Sequence, residues 1–433
     1  MTEYTLHDLE YWNEQVERLA KTFGLSCYQQ CFEICSYEDM LCYEAYAGMP
    51  THYPHWSFGK AYERQKTFYQ YNIVGLPYEM VINSNPCIAY LMRDNTLLLQ
   101  VLTMAHVYGH NDFFKNNRLF KRDTRAELTV EMFKGHADRV RQYVQDPGIG
   151  PDKVERMLNA AHAIRFQITR HGEGKVPTRE QTADEVYEPV PARLGEDLLG
   201  FLYERGRLTD WERDLVYIVR EESLYFLPQI ETKILNEGWA SYWHYQILQK
   251  LNLPQKLYLE FLQRHNLVVC PHQGRINPYF LGFKMFEYLN MQPGGQQKLM
   301  EVRAQERDQS FIRRYLTQEL CEELHLFAYK IRGNDIVIKE VADERGWTTV
   351  RDDLAGAVGI GGMPVIRPLA VEKGKLLLEH VFDHRELEIS YAKETLKGIV
   401  DLWGDKVELH TCLDGKQKVM GCSEDKIISL RDK

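Results

Sequence analysis

Apolar positions along the chain fall into two textures. Across most of residues 1–327 they recur every three or four residues, the period of a helix with one buried face. Residues 10–23 (EYWNEQVERLAKTF) show it with charges between, and residues 154–169 repeat it. Residues 96–114 are apolar through their first half and carry two histidines. Between 171 and 197 the period gives way to Gly, Pro and acidic residues, which predicts a surface linker over about 172–192. Helical pattern resumes at Leu198, runs through 220–226, restarts after Pro228 (a favourable first-turn residue) and continues to about Leu251. Near 328 the texture changes. DIVIKEVA (335–342), MPVIRPLAV (363–371) and KLLLEHVF (375–382) are short β-branched runs bounded by Gly or Pro. Residues 407–413 and 416–422 flank Asp414-Gly415, which predicts a hairpin, and residues 391–403 form one amphipathic helix. The pattern predicts a mainly α chain, with a helical domain over 1–327 and a small α+β domain over 328–433.

Composition narrows the classes. The 433 residues exceed one compact core, and 44% hydrophobic with 27% charged side chains is the mix of a globular protein. Fifty-three Lys and Arg against 62 Asp and Glu leave a net charge of −9, which argues against nucleic acid as the main partner. The N-terminal ten residues lack a basic segment followed by an apolar one, so no secretory signal is expected. No apolar run reaches the length of a membrane span. Nine cysteines without a CxxC pair read as reduced thiols of a cytoplasmic protein. Cys27, Cys31 and Cys35 recur every four residues, which predicts one face of a helix.

Two segments carry candidate chemistry. In AHVYGHND (105–112), His106 and His110 stand one helical turn apart and can offer imidazole nitrogens to one metal ion. Gly109 between them costs about 1 kcal/mol relative to Ala in a helix, which points to a close backbone approach. ILNEGWASYWH (234–244) is almost wholly apolar or aromatic apart from Glu237 and His244, which stand two turns apart on one face. A carboxylate in such surroundings needs a partner: Lys233 one turn earlier, an Arg elsewhere, or a cation shared with the histidines.

LNEGWASYWH resembles the second ligand helix of gluzincin peptidases, whose Asn-Glu-Gly motif supplies a Glu ligand. HVYGH resembles the HExxH helix, except that Val107 stands where the general-base Glu belongs. Longer blocks, GMPTHYPHWSFGKAYE (48–63), LPYEMVINSNPCIAYLM (76–92), MAHVYGHNDFFKNN (104–117), VREESLYFLPQIETKILNEGWASYWH (219–244) and NPYFLGFKMFEYL (277–289), resemble the SpoVR family, named from stage V sporulation protein R. That resemblance implies a cytoplasmic bacterial protein linked to spore cortex or envelope stress. It also implies a PrkA-type serine kinase and a YeaH/YhbH-type protein as partners.

The resulting expectation is a zincin-like helical domain that hydrolyses peptide or peptidoglycan-type amides. His106, His110 and Glu237 would hold Zn²⁺ or another divalent metal. Glu79, in apolar surroundings, or Glu222, with Glu221 beside it, would move the proton that Val107 cannot. His244 or His265 would stabilise the oxyanion. The rivals are a non-catalytic scaffold or partner of the kinase system, and a Cys87-dependent acyl transferase. His52 and His55, among Trp56 and Phe58, read as packing residues, and GAVGIGGMP (356–364) reads as a turn-rich loop without a nucleotide-binding register.

Overall fold

Thr5 and Asp8 form a reciprocal capping box that starts the first helix at Leu6–Thr22, four residues ahead of the start read from its apolar period. The computed structural model describes residues 4–46, 48–70, 79–169, 188–189, 195–272, 276–332 and 335–433. The chain is mainly helical, with its larger sheet near the C-terminus. Among the described residues, no helix is long and apolar enough to cross a membrane. The linker expected over 172–192 lies outside the described residues apart from 188–189.

Contacts divide the chain into two compact units. The first joins 1–134 to 228–361, and the second joins 135–227 to 362–433. This differs from a boundary at 328. Strands β5 (Phe327–Arg332) and β6 (Asp335–Val341) pair as a hairpin packed against the helix Trp347–Ala357. Ala328, Ala342, Val350 and Ala355 complete the core of the first unit. One hairpin and one helix bury too little apolar surface to stand alone.

The first unit is built around a helix that is buried on every side. In Leu97–Asn116, here the histidine helix, every residue from Leu98 to Phe114 is buried. The helix Lys233–Lys250, here the glutamate helix, packs along it, and the helix Pro278–Met291 crosses the glutamate helix. Glycines set both crossings. A Cβ on Gly109 would lie 2.6 Å from Ala240 Cα, and one on Gly238 would lie 2.4 Å from Gly282 Cα. The backbones are therefore as close as their atoms allow, as the cost of Gly109 suggested.

A three-stranded sheet flanks these helices: β1 (Gln30–Cys35) runs parallel to β3 (Cys87–Met92), which pairs antiparallel with β2 (Glu79–Ile82). Cys31 and Cys35 therefore lie on a strand, with Cys27 in the loop before it, and not on the helix their spacing predicted. A spacing of four is a multiple of the strand period as well, so it selects one face in either structure. Pro228 also departs from expectation. It lies inside the helix Asp210–Glu231, and the break comes at Thr232, whose Oγ1 donates to the Pro228 carbonyl at 2.7 Å.

In the second unit, β4 (Glu188–Pro189), β7 (Ile366–Glu372), β8 (Lys375–His380), β9 (Val407–Leu413), β10 (Lys416–Cys422) and β11 (Ile428–Asp432) form one sheet. Asp414 and Gly415 have φ of 51° and 70°, the double positive φ of the hairpin turn read from Asp-Gly. β8 and β9 are parallel and joined through the helix Ile389–Trp403. Gly398 of that helix meets Ala160 of the helix Pro151–Ala163.

Candidate metal centre

Each helix that carries a candidate ligand is held at its start. Thr96 caps the histidine helix by accepting from Leu99 N at 3.2 Å. Thr232 gives no such side-chain bond to the glutamate helix. Asp308 substitutes for it, accepting from Ile234 N at 2.8 Å and Leu235 N at 2.9 Å. Burial outweighs these two bonds and pushes the Asp308 carboxyl up to about 7. Farther along, buried Asp112 accepts from Trp239 Nε1 (3.0 Å), Ser26 N (2.7 Å) and Arg303 Nη1 (2.7 Å to each oxygen). One carboxylate thus fixes the histidine helix to three other segments.

The register that results brings His106, His110 and Glu237 together, with one ligand atom from each within 4.8 Å of the others. Glu237 Oε2 stands 3.7 Å from His106 Nε2 and 3.5 Å from His110 Nε2. Two atoms each about 2.1 Å from a tetrahedral metal are roughly 3.4 Å apart. His110 Nδ1 lies 2.9 Å from Asn236 Oδ1. A carbonyl oxygen only accepts, so His110 donates from Nδ1 and turns Nε2 toward Glu237 Oε2. Glu237 Oε2 then meets Nε2 either across a proton, which makes His110 an imidazolium, or across a metal ion that both atoms bind. Two imidazoles and a carboxylate are a common donor set for zinc, and the residues present fit one such ion.

Glu237 is ionised. Burial pushes its pKa up, but the Lys233 ammonium and the two imidazoles outweigh it and hold the carboxyl well below its ordinary value. Lys233 Nζ donates to Oε1, so the two oxygens have separate roles. The Lys233 salt bridge thus occupies Oε1, and Oε2 is the oxygen that faces the two imidazoles.

His244 and His265 do not stand as separate donors. His106 Nδ1 and His244 Nδ1 are 2.9 Å apart, and His244 Nε2 is 2.8 Å from His265 Nδ1. Burial and then the neighbouring imidazoles push His244 well below its ordinary pKa, and burial takes His265 down to about 4. Both are neutral at pH 7.

Of the remaining candidates, Glu222 belongs to the second unit, where its Oε1 is 3.1 Å from His136 Nδ1, and Glu221 pairs with Arg220 at 3.3 Å. The side chain of Glu79 lies outside the described residues. Cys87 is fully buried with its Sγ toward the Ile82 carbonyl at 3.4 Å, and burial pushes the thiol pKa up, which is the setting of an inert thiol. His52 is buried against Tyr53, Phe58 and Phe133, the packing role read from its neighbours.

A cleft of about 710 Å³ opens on the three ligands, and sequence reasoning missed three of its residues. Glu44, His272 and Tyr279 line it. Burial pushes the Glu44 carboxyl above its ordinary value, partly offset by Arg64. The Tyr279 ring stacks beside His106 with centroids 6.1 Å apart. Tyr279 lies inside a block that signalled the family, but nothing local distinguishes it. Glu44 sits on a short helix whose acids look like a solvated face.

With this geometry in hand, sequence comparison identifies the lineage. A model described as SpoVR like protein matches residues 3–188 and 174–363. The chain belongs to the SpoVR family. A second model, SpoVR-like C-terminal domain, matches residues 372–414. Among relatives of this SpoVR chain is the Escherichia coli (strain K12) protein named "Uncharacterized protein YcgB", 32% identical over 474 residues that span 94% of this chain and 92% of that one. No solved structure matches.

Proposed function

We propose that this SpoVR protein is a zincin-like, metal-dependent amide hydrolase acting on peptide or peptidoglycan-type amides. The observation that carries the reading is the convergence of two imidazoles and a carboxylate in one buried cleft, with Glu237 Oε2 3.7 Å from His106 Nε2 and 3.5 Å from His110 Nε2. His106, His110 and Glu237 would hold Zn²⁺ or another divalent ion. When bound, such an ion supplies Lewis acidity, which polarises a carbonyl and acidifies water.

The chain's own residues supply the rest. Val107, at the position of the general-base Glu in HExxH, is completely buried and takes no proton. Glu44 lines the cleft, where burial raises its carboxyl above the ordinary value, and it is a carboxylate placed to take the proton from water. Glu79 remains a candidate because Met80 and Val81, next to it on β2, form part of the cleft wall. Tyr279 offers a phenol to a substrate carbonyl, a role first assigned to His244 or His265. The same reading places the protein in the cytoplasm, in spore cortex formation or envelope stress, beside a PrkA-type kinase and a YeaH/YhbH-type protein.

The test is metal analysis of purified protein together with amide hydrolysis over a panel of peptides and muropeptides. Glu237→Gln is expected to lose both metal and turnover. Glu44→Gln is expected to keep its metal and lose about 10²–10⁴-fold in rate, with Glu79→Gln run beside it. The buried Val107 favours one rival, a scaffold without catalysis. A protein with stoichiometric zinc that cleaves nothing on the panel would establish that rival.

A further inference from the structure

His106, His244 and His265 form a chain of three imidazoles, 3%, 0% and 3% exposed. Its two links are 2.9 Å between the Nδ1 atoms of His106 and His244, and 2.8 Å from His244 Nε2 to His265 Nδ1. Each link needs one proton between its nitrogens, and a neutral imidazole has one to give. Two arrangements satisfy both links. In the first, His106 donates from Nδ1 to His244 Nδ1. His244 then carries its proton on Nε2 and donates to His265 Nδ1, which leaves the His265 proton on Nε2. In the second, His106 carries its proton on Nε2, His244 donates from Nδ1 to His106, and His265 donates from Nδ1 to His244. Any mixture puts two protons or none into a buried gap, which costs a hydrogen bond without water to replace it.

We propose that a divalent cation on His106, His110 and Glu237 sets the direction of this chain, so that His244 and His265 act as positioning residues that hold the His106 Nε2 lone pair toward the ion. The inference rests on the metal reading above. A cation at His106 Nε2 excludes a proton there and selects the first arrangement. Without it, the Glu237 carboxylate 3.7 Å away attracts an N–H to that nitrogen and selects the second. Reversal balances. The proton on His106 Nε2 leaves the site, one proton crosses each link from the donor of the second arrangement to that of the first, and His265 Nε2 takes up one from outside. Each ring ends with as many protons as it began with. His110 is outside the chain, and Asn236 keeps its proton on Nδ1 in both states.

The experiment is nitrogen NMR of the full protein labelled with ¹⁵N in the histidine rings, metal-free and then titrated with zinc chloride, with zinc uptake measured on the same samples. Zinc is expected to move the proton from Nε2 to Nδ1 on His106, and from Nδ1 to Nε2 on both His244 and His265, with His110 unchanged. Stoichiometric zinc uptake with an unaltered His265 would overturn the chain while leaving the metal reading intact. Absence of uptake would overturn the metal reading and the inference built on it. In His244→Phe, His265 should no longer respond, and zinc affinity should fall about 10–100-fold, the usual effect of removing a partner that orients a ligand. Wild-type affinity in a folded His244→Phe protein would count against the proposal. If that variant fails to fold, the wild-type titration decides.

Discussion

Replacing Gly109 with alanine probes how far the metal centre depends on two helices lying closer than side chains allow. The new Cβ would stand 2.6 Å from Ala240 Cα and 3.2 Å from Ala240 Cβ, where ordinary contact begins at 3.4 Å. The shortfall at Ala240 Cα, about 0.8 Å, is four times the roughly 0.2 Å within which metal–ligand distances hold. His106 and His110 flank position 109 and Glu237 lies three residues before Ala240, so any separation of the helices at this point falls on the ligands. Helix propensity alone would favour the alanine by about 1 kcal/mol, whereas overpacking costs about 1–3 kcal/mol. The net change in stability should therefore be a loss of up to about 2 kcal/mol. Zinc affinity, measured by competition with a chromophoric chelator, should fall at least about tenfold, equivalent to 1.4 kcal/mol. Gly135→Ala is the control. Its Cβ meets nothing within 4 Å, so it should be neutral or stabilising by about 0.4–1 kcal/mol without affecting zinc. A Gly109→Ala protein with wild-type zinc affinity and unchanged or raised stability would refute the reasoning.

Arg303→Met leaves the Asp112 carboxylate buried without its cation, and should cost about 3–5 kcal/mol in urea denaturation, with part recovered by adding Asp112→Asn; a loss under about 1 kcal/mol would show that the pair contributes little. Asp308, whose folded pKa is raised to about 7 from 3.8, binds its proton more tightly folded than unfolded. Its contribution to stability is therefore complete below about pH 4 and lost as pH rises through about 7. Asp308→Asn keeps an acceptor for only one of the two amides, because each uses a different oxygen, but it cannot titrate. Whatever its offset, its thermal midpoint should rise relative to wild type from pH 4 to 8, and a flat or opposite trend would contradict this.

The residues that converge at the candidate metal site were legible because their signal is local. His106 and His110 are one turn apart on a strongly apolar segment, and Glu237 interrupts another, so each advertised itself as a costly group in a buried helix. Glu44 and Tyr279 carried no such signal. A half-buried acid on an acidic helix and a tyrosine among aromatics are ordinary residues until the fold places them on one cleft. For His244 and His265 sequence likewise gives the residue types but not which nitrogens face each other.

Sequence by itself determined the elements with a strong period and the turns with special chemistry. The central helix, the Asp414-Gly415 hairpin and the β-branched runs after 363 follow from side-chain sterics within a few residues. Only the tertiary structure decided what a local pattern leaves degenerate. Cys27, Cys31 and Cys35 satisfy helix and strand periods alike, and pairing with β3 selected the strand. Pro228 breaks a helix in isolation, but here the helix continues to Glu231 and turns at Thr232. The 328–361 segment has the texture of the C-terminal sheet region, yet its buried side chains complete the first unit's core, because hydrophobic burial is non-directional and accepts whichever partner supplies the missing surface. The candidate metal site obeys the same division. Residue types were written in the chain, whereas the 3.5 Å between His110 and Glu237 was set by glycines at two helix crossings and by an aspartate, Asp112, that ties the packed segments together.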